Sequence, residues 1–141
     1  MFKNVLLPID IEHEASWEKA LPMAIELCGE TGTLHILGIV HDIGSSVVAS
    51  YLPPNFEEDA LQKMDKNLED FVADMVPKGT KAAVHVGHGH VSDVIVKMGQ
   101  KVGADLIVIA SHPPNELRTF LVGSNADRVV HHADRPVLTV R

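Results

Sequence analysis

Five short apolar runs, separated by segments with helical spacing, constrain this chain of 141 residues more than any other feature. They are VLLPI at 5–9, TLHILGIV at 33–40, KAAVHV at 81–86, DLIVIA at 105–110 and VLTV at 137–140. The first is apolar on both faces and stops at Asp10, which suits the middle of a parallel sheet covered by helices. Pro8 cannot donate to a ladder, so it belongs near that strand's end. Strands alternating with helical segments at this spacing predict an open α/β sheet with right-handed crossovers, in a single domain over 1–141.

The helical segments differ in clarity. Residues 13–30 place Ala20, Ala24, Leu27 and Cys28 on one stripe. Pro22 interrupts it, and because the period continues beyond, the reading is one helix kinked at Pro22. Gly29 and Gly32 supply its exit. Residues 56–76 form the clearest amphipathic helix, with Leu61, Met64, Leu68, Phe71, Val72 and Met75 on one face. Between Gly44 and Asn55 the chain is small, polar and proline-containing, which reads as a mobile loop. Gly87-His88-Gly89-His90 breaks the third strand and turns into a helix over Val91–Val102, ended by Gly103. The last helix runs from Gly123 to His132, and Pro136 opens the final strand.

Composition narrows the function classes. A net charge of −7 argues against a nucleic-acid partner held by a phosphate-attracting surface. Cys28 is the only cysteine, so there is no internal disulfide and no paired-cysteine zinc or redox motif. The N-terminal residues turn acidic too soon for a signal peptide, and no apolar run approaches the roughly 18 residues of a membrane span. The expectation is a cytoplasmic protein with no membrane partner.

In open α/β sheets, ligands bind at the carboxyl ends of the strands, where the strand order reverses. That rule gathers Asp10, Val40-His41 and Ala110 to His112 around one crevice facing Gly123-Ser124. A carboxylate ending the first strand can accept hydrogen bonds from a sugar or a base edge. The first amides of a helix have no partner within it, so those near Ser124 and Asn125 can cradle an oxyanion. Two plainer readings stand beside these. Asp10 can cap a following helix, and Gly123-Ser124 can be a helix start with a serine cap.

VLLPID at 5–10, DLIVIASHPP at 105–114 and LVGSNADRVVHHADRPVLTVR at 121–141, with the order of elements between them, resemble the universal stress protein family, in particular its short single-domain F/G-type branch. The resemblance covers nearly the whole chain. It implies a three-layer, five-stranded open parallel sheet of order 3-2-1-4-5, of the Rossmann-like, adenine nucleotide alpha hydrolase-like kind. It also implies a homodimer in which the last strands, 136–141, meet, and a stress-response role exerted through a protein partner the sequence does not name. An edge strand there leaves backbone groups to cover.

Many members of that family bind ATP through a loop written Gly-x-x-Gly, nine residues, then Gly-Ser or Gly-Thr. This chain keeps the spacing, but positions 110, 113 and 123 hold Ala110, Pro113 and Gly123. Proline fixes φ and removes an N–H, whereas glycine would allow close backbone approach to phosphate. The F/G-type branch carries Ala-Ser-His-x-Pro here, and ATP binding is attributed to its members. The resemblance therefore implies ATP, or AMP or ADP, bound by a rearranged loop. By the same carry-over, Pro8, Ile9 and Asp10 line the adenine and ribose side, and Val40 packs on the adenine. Ala110, His112 and Pro113 form the loop over ribose and phosphates, and Gly123, Ser124 and Asn125 hold the phosphates. Arg118 can pair a terminal phosphate bidentately, although a solvated loop arginine is the commoner case. Any Mg²⁺ would arrive with the nucleotide.

Nine histidines invite a metal reading. Among His85, His88 and His90, however, His88 is out of phase with His85, and no cysteine or carboxylate completes a zinc set. His131-His132 suit a helix C-terminus. Trp17 and Phe56 read as packing or loop anchors, and Ser16, Ser46 and Ser111 lack a hydrolase elbow. Without a Walker lysine or positioned base, catalysis would be at most slow ATP hydrolysis. A module of the same fold that binds no nucleotide is the remaining alternative.

Overall fold

All five apolar runs become parallel strands, and the computed structural model describes them within residues 2–40, 51–111 and 123–141. In chain order these are β1 (Asn4–Pro8), β2 (Thr33–Val40), β3 (Lys81–His88), β4 (Leu106–Ala110) and β5 (Val137–Val140). The helices are α1 (Ala20–Cys28), α2 (Phe56–Met75), α3 (Val91–Lys101) and α4 (Gly123–His132). The sheet order is β3-β2-β1-β4-β5, the 3-2-1-4-5 arrangement expected. β1 pairs with β2 from Asn4↔Thr33 to Pro8↔Leu37, and with β4 through Val5↔Leu106 and Leu6↔Ile107.

Alternation along the strands builds two cores. Val5, Leu7, Leu34, Ile36 and Val108 face α1 and α2, whose Ala20, Ala24, Cys28, Leu68 and Phe71 cover them. Leu6, Leu37, Ile39, Ile107 and Ile109 face Val91, Ile95 and Met98 of α3 and Ala126 and Val129 of α4. Burial on both sides is why the central strands need no polar alternation. Each fully buried Leu or Ile contributes roughly 1.5–3 kcal/mol from removed apolar surface. Trp17 meets Phe71 edge-on with ring centroids 5.1 Å apart, which makes it a packing anchor of the first core.

Three expectations are corrected. The segment 13–30 is not one kinked helix: a short 3₁₀ turn spans Glu14–Ser16, and α1 begins only at Ala20. Pro22 thus lies in the first helical turn, where its missing N–H has no intrahelical acceptor to lose. β3 does not break at Gly87 but runs on to His88. A Cβ at Gly87 would collide with Cγ1 of Val94, so this glycine marks the close approach of α3 rather than the end of the strand. Gly89, at φ +128°, makes the turn into α3. Met75 leaves the buried face of α2 and is 43% exposed, because it ends the helix and Val76 fills the core instead.

Arg135 ties the second layer together in a way its sequence context did not advertise. Its Nη1 donates to the carbonyls of Gly99 and Ala104, each at 2.8 Å, joining the end of α3 and the approach to β4 to the entry of β5. Burial, reinforced by the nearby Asp105 carboxylate, pushes the Cys28 thiol up to about 11, so it stays protonated and unreactive at neutral pH.

Candidate functional site

The strand order reverses between β1 and β4, so their carboxyl ends flank the crevice of the fold. Pro8 ends β1, and Ile9 is buried just beyond it, its N–H bonded to the Leu37 carbonyl at 2.9 Å. Asp10 follows with its carboxylate largely shielded and held by its own turn. Its Oδ1 accepts from the Glu12 N–H at 3.1 Å, and Oδ2 lies 2.8 Å from His13 Nδ1. The Asp10 N–H donates to Ser16 Oγ at 2.8 Å. The Ser16 hydroxyl in turn lies 2.8 Å from the carbonyls of both Asp10 and His13, and its one proton is shared between them. Ser16 is fully buried, so it acts as the internal brace of this turn, with no exposure for a nucleophile.

Asp10 therefore organises a turn rather than the N-cap of α1, which is Lys19. A carboxylate offers about four lone-pair sites. Two of them are used locally, which leaves acceptor capacity toward the crevice.

A cavity of about 230 Å³ opens beside this turn, lined by Ile9, Asp10, Ile11, Glu12, Ile39, Met64 and Asn67. Two of the anticipated residues, Ile9 and Asp10, are in its wall. Val40 ends β2 next to Ile39, partly buried, and its carbonyl accepts from the Gly89 N–H at 3.1 Å. Ala110 ends β4 fully covered, and Ser111 N–H reaches the Val140 carbonyl at 2.8 Å. Neither Val40 nor Ala110 is among the lining residues. α4 starts at Gly123, which puts the amides of Ser124 and Asn125 at its positive N-terminal end. His41, His112, Pro113 and Arg118 lie outside the described residues, as do 44–50 of the anticipated loop.

Sequence reasoning missed Met64 and Asn67, which α2 brings to the cavity from far along the chain. A helix face can be read from its period, but which strand end it will cover cannot. A second, more open cavity of about 320 Å³ shares Ile11 and Asn67 and adds Trp17, Asp70, Phe71, Asp74 and Met75. Among the described residues, no cluster of three or more His, Cys, Asp or Glu is placed to hold a metal ion. Among the described residues, no helix is long and apolar enough to cross a membrane.

A parallel sheet of this order, with its crevice between β1 and β4 and a helix N-terminus after β4, defines a Rossmann-like α/β protein. The family model for the universal stress protein family matches residues 1–141, and the chain belongs to that family. It is 32% identical to Universal stress protein G of Salmonella typhimurium over the full length of both chains. Among solved structures, it superposes on the hypothetical protein MJ0577 with a TM-score of 0.71 at 23% identity, covering 99% of this chain and 96% of that one. The universal stress protein of Archaeoglobus fulgidus, solved in complex with dAMP, matches with a TM-score of 0.62 at 18% identity, covering 100% of this chain and 98% of that one.

Proposed function

We propose that this universal stress protein binds an adenine nucleotide, ATP or its mono- or diphosphate, in the crevice between the ends of β1 and β4. Its nucleotide state would then be read by a protein partner. The observation that carries this reading is the cavity at the carboxyl ends of β1 and β2, beside the switch point. An apolar wall of Ile9 and Ile39 is joined to the Asp10 carboxylate in one cavity, and a helix N-terminus follows β4. Apolar residues suit an adenine face, a carboxylate with spare lone pairs suits a ribose, and a helix start suits phosphate. A relative of the same fold holding dAMP supports the ligand class.

In this reading Pro8, Ile9, Asp10 and Val40 serve base and ribose. Ala110, His112, Pro113 and Arg118 serve the loop, and Gly123, Ser124 and Asn125 serve the phosphates. Mg²⁺ would enter only as the nucleotide's counterion. β5 is an edge strand, and pairing it through residues 136–141 with a second copy would remove that edge. The cytoplasm is the compartment we infer. We favour a regulatory role over a catalyst because the sequence offers no Walker lysine in its loop.

One observation favours a second reading, a module of the same fold that binds no nucleotide: Ala110 and Pro113 stand where the family pattern has glycine. Heating the purified protein and identifying what is released by mass spectrometry separates the two. The proposal expects an adenine nucleotide, and a thermal shift with added ATP that Asp10→Ala and Ser124→Ala diminish. Release of nothing, together with no shift, would leave the second reading standing.

A further inference from the structure

At the other end of the sheet, three polar side chains from three strands meet on the face covered by α3. His35 of β2 and His85 of β3 bring Nδ1 and Nε2 to 2.8 Å, and Nε2 of His35 lies 2.9 Å from Oδ1 of Asn4 on β1. The two imidazole planes differ by 30° with centroids 5.1 Å apart. That separation is close to the N···N distance plus two ring radii, so the rings meet edge to edge in a nearly in-plane hydrogen bond and are not stacked face on face.

The chain fixes both tautomers. Asn4 Oδ1 accepts, so His35 carries its proton on Nε2 and presents a bare Nδ1. His85 must then donate from Nε2. No carboxylate or thiol among the described residues joins the two imidazoles to complete a metal set.

We propose that Asn4, His35 and His85 are an acid-sensitive latch that holds the edge strand β3 to β2 and β1, accepting one proton intact and opening on the second. The first proton adds to Nδ1 of His85, which leaves Nε2–H donating to His35 and turns the bond into a charge-assisted one. The second has only Nδ1 of His35 to bind, which is the acceptor itself. Two N–H groups and two positive charges would then face each other across the former bond.

The surroundings oppose that second charge. Lys101 of α3 opposes a positive charge on His85, and Lys81 shares its face of β3. The nearby carboxylate, Asp105 at the approach to β4, is already engaged by the amides of Lys3 and Asn4. Burial lowers the pKa of His35, with His85 adding to the effect, and burial lowers that of His85, with Lys101 adding. A histidine whose folded pKa lies below its unfolded value of 6.5 stabilises the fold above that value. The stabilisation is lost as the pH falls beneath it. β3 is the element that loosens, because among the described strands it pairs with β2 alone.

The test uses the full chain labelled with ¹⁵N. At about pH 8 a through-hydrogen-bond ¹⁵N–¹⁵N coupling should join His85 Nε2 to His35 Nδ1, and it should vanish as the pH is lowered far enough to charge both rings. Amide exchange in β3 should rise ~10-fold or more over the same interval relative to α1. In the variant carrying both His35→Asn and His85→Gln, which keeps an acceptor and a donor in place without titrating, the urea midpoint should stay level across this interval while that of the parent falls. Two independent titrations without the coupling would overturn the proposal. So would a parallel loss of stability in parent and variant, or a rise in the parent's midpoint with zinc ion alone.

Discussion

The two polar centres of this protein are built in opposite ways. Around Asp10, every hydrogen-bond partner lies within six residues along the chain. Around His35, the partners lie 31 and 50 residues away, on β1 and β3. A centre closed by a local turn depends little on strand register, so it can sit at a strand end and keep acceptor capacity facing a cavity. A centre closed across strands exists only once the register is set, and it spends its hydrogen-bonding capacity on the fold. The same kinds of side chain thus leave acceptor capacity toward a cavity in one place and join strands in the other.

The strongest way to break this contrast is to disturb the packing that sets the cross-strand centre. Gly87→Val would drive a side chain into Val94 and push α3 off β3, two residues from His85. A loss of about 3 kcal/mol is expected by urea unfolding. The coupled titration of the histidines should be lost with it, while nucleotide-dependent thermal shifts persist. If both disappear together, the two centres are not separable.

Ser16→Ala probes the local centre. It removes the fully buried Ser16 hydroxyl and leaves the part-buried Asp10 N–H without its acceptor, at a cost of about 2 kcal/mol. Nucleotide affinity should fall as the Asp10 carboxylate loses its orientation, and the histidine titrations should not move.

The smallest effect comes from Asp105→Asn. Burial works against the Asp105 carboxylate, but the amides of Lys3 and Asn4 and the charge of Lys3 prevail and hold its pKa below 3.8. A carboxyl group with a lowered folded pKa stabilises the fold above its unfolded value and loses that contribution as the pH falls. The variant should therefore be less stable than the parent by about 1 kcal/mol at neutral pH, a figure discounted for exposure. The gap should close as the pH drops through and below about 3.8. A gap that persists in strong acid would mean the carboxylate's charge plays no part.

Much of the architecture was legible because it rests on local patterns. The apolar run at 106–110 is a strand, and Gly123 to His132 is a helix, because period and flanking residues decide those states within a few turns. Asp10 could be picked out because a carboxylate ending a central strand is a local fact. Two of the misreadings came where local pattern meets a distant neighbour. Gly87 looked like a breaker until α3 was seen to need the space. Met75 fits the helical period but has no core opposite it, since Val76 takes that place. Pro22 misled for the opposite reason, because the helical spacing read over 13–30 ran through a non-helical turn, and α1 starts only at Ala20, seven residues later than that spacing suggested.

By itself, the sequence determined the alternation of strand and helix, the sheet order through family resemblance, and the loop in which Ala110 and Pro113 replace glycine. Only the tertiary structure decided that Met64 and Asn67 would wall the cavity beside Asp10. It also decided that Arg135 would bridge Gly99 and Ala104, and that His35 and His85 would share a proton. Each of these depends on strands and helices remote in sequence arriving in register, and the hydrophobic pattern of either partner alone carries no record of the other.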